Sequence, residues 1–318
     1  MTRPRIPDDV LTAAHERAAA RGAKDWETAD RLRAEIEAAG WTVVDRGTDF
    51  ALSPATPADI EEGARVRYGA SRNVPSRLDE PAVGLATVVL IATDWPADVE
   101  RAVAALQTHA PVGTGIVVVA DGPADEQAAA LDALTGVETV WTSERLGHAA
   151  ATNIGVRRAA GPVVVLMDPS VEPTGDVITP LAAALADPTV AVAGGWGLTS
   201  TDLRTFEEAP PGDVDAVEGY LLAFRREDAA ERGPLDERFR FYRNLDIWWS
   251  LVLRDEGEGR APRRAVRVAD LPATRHEHRG WESLPEEERA RRSKRNFYRI
   301  IDRFGSRRDL LVADRSQA

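Results

Sequence analysis

Four short runs along the chain, Leu85–Thr93, Gly115–Asp121, Pro162–Asp168 and Thr189–Gly195, are apolar throughout and rich in β-branched residues. They lack the in–out alternation of a strand with one wet face, so they predict strands buried on both faces. Between them, Asp98–Gln107, Asp125–Leu134, Ala149–Ala160 and Val177–Ala186 are Ala-rich and predict helices. Strands alternating with helices predict an α/β domain on a mostly parallel sheet covered on both sides. Ligands of such sheets bind beyond the carboxyl ends of the strands. Those ends read Thr93-Asp94, Ala120-Asp121-Gly122 and Asp168-Pro169-Ser170. A single Asp there is more often a turn cap, but three on one edge point to a site.

The N-terminal pattern is different. Residues 8–39 are rich in Ala, Glu and Arg and predict two helices, interrupted at Gly22 and stopped at Gly40. Leu32 with Ile36, and Trp26 with Ala29, predict one apolar face. Trp41–Pro54 reads as a hairpin turning at Arg46–Asp49. Such a unit is too small for a deep core of its own. Thr56–Gly69 predicts one helix, and Ala70–Gly84, with Pro75 and Pro81, reads as a linker. The expected organisation is a helical hairpin docking module over 1–53, a linker over 54–84 and the α/β domain over 85–318.

Composition narrows the function. The 318 residues are 43% hydrophobic and 29% charged, as in ordinary globular proteins. A net charge of −12 disfavours nonspecific nucleic-acid binding and general adhesion to anionic membranes. With no cysteine, disulfides and thiolate zinc sites are excluded. No apolar run reaches the roughly 18 residues of a membrane span, and Met1–Val10 has no apolar core of a secretory signal. The expected location is cytoplasmic, with peripheral contact at a membrane face left open by one basic segment. That segment, Arg289–Arg308, holds Asp302 as its lone acid, and Phe297, Ile300, Ile301 and Phe304 form an apolar stripe along it.

Several segments then fall in a known order. "VVVADGPAD" (117–125) ends a strand in an acidic turn, and "ERLGHAAATNIGVRRAAG" (144–161) carries Asn-x-Gly in a helix. "VVVLMDPSVEPTGD" (163–176) puts an acid at a strand end. "EGYLLAFRREDAAERGPLDERFRFYRNLDIWWSLVLRDEG" (218–257) has a Gly before a strand ending in Arg-Arg, then Leu-Asp-Glu-x-Phe and a helix. In this order, residues 85–305 resemble a family 2 glycosyltransferase, the nucleotide-diphospho-sugar transferase class with the Rossmann-like GT-A fold. Against the family pattern, Ala120 and Arg145 stand for an Asp and an Asn. Ser170 stands for the second acid of Asp-x-Asp, and Asn244 for the usual catalytic carboxylate.

The resemblance implies transfer of a sugar from a nucleoside-diphosphate sugar to an acceptor (glycan, lipid-linked or small molecule), with inversion. It implies donor contacts at Thr93, Asp94, Asp121, Gly147, Asn153, Asp168 and Ser170, and an acceptor side at Gly219, Arg225, Arg226, Trp248 and Trp249. The leaving diphosphate needs its charge neutralised, most often by Mg²⁺ or Mn²⁺. Asp168 is the first candidate ligand, with His276 and His278 of "RHEHRGW" completing a metal site. An inverting enzyme also needs a carboxylate base. With Asn244 in the family's catalytic position, Asp246 is the favoured substitute, and Asp236 and Glu237 are alternatives; Asp246 could equally cap its helix. Arg292 and Arg295 are candidate phosphate contacts. Trp248 and Trp249 fit a core as well as an acceptor wall.

The N-terminal segment "ERAAARGAKDWETADRLRAEIEAAGWTVVD" (16–45) has a second likeness. Lys24, Asp25, Trp26, Ala29, Asp30 and Arg33 match the C-terminal helical module of cysteinyl-tRNA synthetases. The chain lacks the cysteines for that enzyme's zinc and its nucleotide-binding signatures, so the module is read as structural first, with docking to a protein partner as the alternative. The competing reading of the whole chain is a catalytically weakened nucleotide- or sugar-binding protein of the same fold. RNA binding through the module is disfavoured by the net charge.

Overall fold

The computed structural model describes residues 6–47, 49–92, 94–257 and 259–315. The chain divides into two compact units, Met1–Pro57 and Ala58–Ala318.

In the first unit, α1 (Asp8–Gly22) and α2 (Trp26–Ala38) precede β1 (Trp41–Arg46) and β2 (Asp49–Pro54). The helix break falls just past Gly22, at Lys24 with φ 60°, and the Asp25 carboxylate accepts from Thr28 N–H to start α2. Gly40, at φ 78°, ends α2, and β1 pairs antiparallel with β2 through Arg46 and Asp49. Val10, Ala14, Ile36, Trp41, Val43 and Leu52 form a small core. Trp26 does not join it: it is 55% exposed, with the Arg21 guanidinium 5.6 Å from its ring centroid. It opens the helix, ahead of the buried Ala29–Leu32–Ile36 stripe.

The second unit begins with β3 (Ile60–Glu62) and β4 (Arg65–Tyr68), followed by β5 (Ala86–Ile91), α3 (Pro96–His109), β6 (Thr114–Ala120), α4 (Asp125–Ala133) and β7 (Glu138–Thr142). Next come α5 (His148–Arg158), β8 (Val163–Met167), β9 (Val171–Pro173), α6 (Ile178–Leu185), β10 (Val190–Gly194), β11 (Gly197–Thr199), β12 (Glu207–Ala209) and β13 (Gly212–Val214). The remainder is β14 (Ala216–Val217), β15 (Leu221–Arg225), α7 (Arg226–Arg232), α8 (Leu245–Arg254), β16 (Arg264–Arg267), β17 (Ala273–Arg275), α9 (Arg279–Glu282), α10 (Glu286–Phe304) and α11 (Val312–Arg315).

A ten-stranded sheet runs in the order β13-β16-β10-β15-β8-β5-β6-β7-β4-β3. Its centre, β8-β5-β6-β7, is parallel, and β15, β13 and β3 run against the rest. The apolar runs are buried on both faces, as their composition predicts. Val89 faces one core with α5 and α8, while Val88 and Leu90 face the other with α3 and α6. Gly155 of the Asn-x-Gly motif has a packing reason: a Cβ there would come within 2.1 Å of Val89 Cγ1. The motif lets α5 lie close on β5.

The helix predicted over 56–69 is instead the β3–β4 hairpin. Gly63, at φ 64°, turns it, and Arg65 and Arg67 lay their guanidiniums 4.0 and 5.6 Å from the Trp141 ring centroid. Strand β4 then extends the sheet beside β7, so residues 58–68, expected in the linker, pack within the second unit. Among the described residues no helix is long and apolar enough to cross a membrane.

Candidate functional site

The parallel strands β5, β6 and β8 end at one edge of the sheet, and Asp94, Asp121 and Asp168 follow their ends. Thr93 lies outside the described residues. Each acid is held differently. Asp94 is exposed and receives both ends of the Arg145 guanidinium, at 3.0 and 2.5 Å. Asp121 is buried and accepts from Leu146 N–H at 2.6 Å and Gly147 N–H at 3.0 Å. Burial pushes its carboxyl up, with those backbone N–H groups opposing. Gly122, at φ 59°, lets the turn after β6 approach to where a Cβ would meet Arg145 N at 2.5 Å. Asp121 and Gly147 thus lock the 142–147 loop over the strand end. Asn153 sits behind it, buried, donating to Leu235 O at 2.9 Å and Glu237 Oε1 at 3.1 Å.

Asp168 is the centre of the site. Its Oδ1 accepts from Ser170 N–H at 2.8 Å and Ser170 Oγ at 2.6 Å. Ser170 therefore braces the carboxylate. His278 Nε2 lies 3.2 Å from the other oxygen, Oδ2. Desolvation works to raise the Asp168 pKa, but the His278 and Ser170 contacts outweigh it and hold the carboxyl below its ordinary value. Burial likewise opposes the proton on His278, and the Asp168 carboxylate outweighs it, so His278 is raised. The His278 ring stacks on Tyr242 at 4.4 Å between centroids, and its Nδ1 accepts from Trp281 N–H at 3.1 Å. Nδ1 therefore carries no proton in this geometry, and the Nε2 proton points at Asp168.

Alternation places His276 on the same face as His278, but β17 ends at Arg275 and the chain turns into α9. Antiparallel pairing of β17 with β9 hands His276 N–H to Ser170 O and brings its Nε2 within 2.7 Å of Glu172 Oε2 instead. The Asp168–His276–His278 set is therefore not assembled, and among the described residues no cluster of three or more His, Cys, Asp or Glu could hold a metal. What the structure offers is the Asp168–His278 pair.

Asp246 stands at the start of α8, where its Oδ2 accepts from Gly219 N–H at 2.9 Å and its Oδ1 from Ile247 N–H at 2.9 Å. Burial raises its carboxyl; these N–H groups and the nearby Arg243 charge oppose. Glu218 stands beside it and is raised by burial and then by the Asp246 charge. Asn244 adopts the left-handed conformation, φ 68°, that caps α8, and its amide donates to Ser293 O on α10 at 3.1 Å. Trp248 and Trp249 are buried in the core, Trp249 edge-on to Phe224.

Arg225 and Arg226 lie elsewhere. Strand β15 runs antiparallel to β8, so Leu221 pairs with Met167 near the site while Arg225 pairs with Val163. Four residues of strand carry Arg225 about 13 Å away, to the opposite sheet edge. There Arg225 binds Leu185 O and Val190 O, and Arg226 donates to the carbonyls of Arg77, Ala159 and Glu80. Both tie structure together. Arg292 lies over Phe241 and pairs with Glu288 at 2.6 Å, and Arg295 is exposed on α10.

The sequence reading missed Glu218, Tyr220, Tyr242, Arg243 and His148. His148, the first residue of α5, is desolvated, which drives its pKa down to about 4; it feels the charges of Asp168 and His278. Its one signal was its place after the Gly147 turn.

The doubly covered, mostly parallel sheet is that of the GT-A fold. Residues 87–241 match the family described as Glycosyl transferase family 2. Residues 3–50 match the Cysteinyl-tRNA ligase anticodon binding domain. A 50-residue stretch is 50% identical to the cysteine–tRNA ligase of Opitutus terrae, covering 16% of this chain and 11% of that protein. Among solved structures, the fold is similar to GalNAc-T7 with UDP, GalNAc and Mn²⁺, at TM-score 0.56 and 17% identity. That match covers 69% of this chain and 48% of the other. It is also similar to the mannosyltransferase PcManGT from Pyrobaculum calidifontis in complex with GDP-Man and Mn²⁺, at TM-score 0.51 and 19% identity, covering 75% and 71%.

Proposed function

We propose that the protein is an inverting glycosyltransferase that moves a sugar from a nucleoside-diphosphate sugar to an acceptor hydroxyl. The observation that carries this reading is the pairing of Asp168 with His278 at the end of β8, together with the buried Asp246 carboxylate held by Gly219 N–H. Donor and acceptor chemistry need these two centres. The similar folds that hold a nucleotide and Mn²⁺ support the donor side.

The donor set fits a divalent cation shared with the substrate once the Nε2 proton of His278 is displaced: one carboxylate and one imidazole, completed by phosphate oxygens and water. Asp168 and His278 would hold it, and when bound it neutralises the charge developing on the leaving diphosphate. The residues of the chain do the rest. The loop locked by Asp121 and Gly147, with the Asp94–Arg145 pair at its rim, borders the nucleotide. Asp246 accepts the proton of the attacking hydroxyl, on a carboxyl that burial has raised toward the operating pH. Gly219 N–H fixes the orientation of that carboxylate.

A second reading, a nucleotide- or sugar-binding protein with weakened turnover, draws on Asp168 being already satisfied by Ser170 and His278. Titration of UDP, GDP and dTDP with and without Mn²⁺ separates the two. The enzyme reading expects one nucleotide to bind in a metal-dependent manner. Metal-independent binding that survives Asp168→Ala would favour the binding protein.

A further inference from the structure

A groove of about 610 Å³ opens beside this centre, between the Arg243–Asn244 turn, Trp281 and the first half of α10. It is lined by Arg243, Arg289 and Lys294 against the single acid Glu286, with Trp281 and Phe297 supplying aromatic surface. Arg243 and Arg289 both line the groove, with their guanidiniums 5.3 and 5.1 Å from the Trp281 ring centroid, so two positive charges border it at that ring. Like charges gathered this way repel each other, and an anion between them relieves the repulsion. The acids nearby do not supply it. Glu288 pairs with Arg291 and Arg292 outside the groove, and Arg289 reaches Glu282 only at 3.7 Å. Arg243 and Lys294 have no ion-pair partner among the described residues.

Two buried polar atoms add to the case. Ser293 Oγ, in the groove wall, and Arg289 Nε have no hydrogen-bond partner in the protein. Buried donors are rarely left so, and a ligand is one of the ordinary reasons. Guanidiniums, an ammonium and a hydroxyl together match the three acceptor oxygens of a phosphomonoester better than the two of a carboxylate. Arg243 links the groove to the reaction centre, since its charge also acts on Asp246 and His278.

We propose that this groove is the acceptor's anion subsite: it takes a phosphomonoester on a ring-bearing acceptor, whose hydroxyl then reaches Asp246. The assignment to the acceptor rests on reading the Asp168–Asp246 centre as a glycosyl-transfer site. Phosphate on the cations sets the register, and Phe297 offers aromatic surface to the acceptor ring.

The test uses the full-length protein and isothermal titration with phenyl phosphate, with phenol as the uncharged comparator. With the nucleotide that binds held at saturation, phenyl phosphate is expected to bind and phenol not. Lys294→Glu, at an exposed position with no ion pair to lose, should weaken phenyl phosphate by about tenfold or more, and Lys294→Arg should keep it. Asp168→Ala should abolish nucleotide binding and leave phenyl phosphate unchanged. The proposal is overturned if saturating nucleotide displaces phenyl phosphate, if Lys294→Glu has no effect, or if the anion binds only as phosphatidic acid in vesicles. Nucleotide binding without phenyl phosphate binding removes the subsite and leaves the enzyme reading intact. Phenyl phosphate binding with no nucleotide bound by wild type overturns the donor site and the acceptor assignment with it.

Discussion

His278 places its Nε2 3.2 Å from Asp168 Oδ2, and the two groups shift each other's protonation in opposite directions. The contact exists because β17 pairs with β9, which delivers the chain to the end of β8 just before α9 begins. The imidazole thus meets one oxygen of Asp168 while Ser170 holds the other.

Asp168→Ala should therefore remove metal-dependent nucleotide binding, and His278→Ala should weaken it. The check is titration of UDP, GDP and dTDP in Mn²⁺ against each variant. Nucleotide affinity in Asp168→Ala equal to wild type would sink the donor-site assignment.

Asp246→Asn should lower kcat by about 10²–10⁴-fold, the usual contribution of a general base, with nucleotide affinity little changed. The base must be ionised, and burial raises its pKa, so the rate should fall as pH falls through a value above the ordinary carboxylate range. Arg243 opposes that rise, so Arg243→Ala should move the acid limb to higher pH. A pH–rate profile with no shift in that variant would point to another base.

His148 carries the clearest pH signature in stability. Its pKa is lowered from 6.5 to about 4 by burial, so between those values the unfolded chain binds a proton that the folded protein does not. Folding stability should then fall as pH falls from 6.5 to 4, by up to about 3 kcal/mol from this one group. Urea unfolding of wild type and His148→Gln at pH 7 and pH 4.5 measures it; the variant should show a shallower loss.

Arg226→Ala should destabilise the fold without touching the site. Three carbonyls, of Arg77, Ala159 and Glu80, lose their donor, at a cost of roughly 2–5 kcal/mol. Denaturant unfolding should register the loss while nucleotide affinity stays at the wild-type value. A stable variant with impaired substrate binding would return Arg226 to the acceptor side.

Much was legible in the residues themselves. Val-rich runs with no polar alternation imply strands covered on both faces, and β5, β6, β8 and β10 are such strands. Acids just past three of them sit at the ligand-binding edge because parallel strands end together. Local turn chemistry was legible too, in Gly40 and in the turn at Arg46–Asp49. Thr56–Gly69 failed as a helix because Arg65 and Arg67 found Trp141, a residue far along the chain that no local window includes.

Only tertiary structure decided which chemical groups meet. Alternation put His276 and His278 together, but the end of β17 sent one to Glu172 and the other to Asp168. Motif order put Arg225 and Arg226 at the acceptor, but the reversed direction of β15 carried them to the far edge of the sheet. Spacing along a chain sets the face a residue occupies within its own element. Strand direction and long-range pairing depend on contacts between distant segments, and those determine which faces share a site.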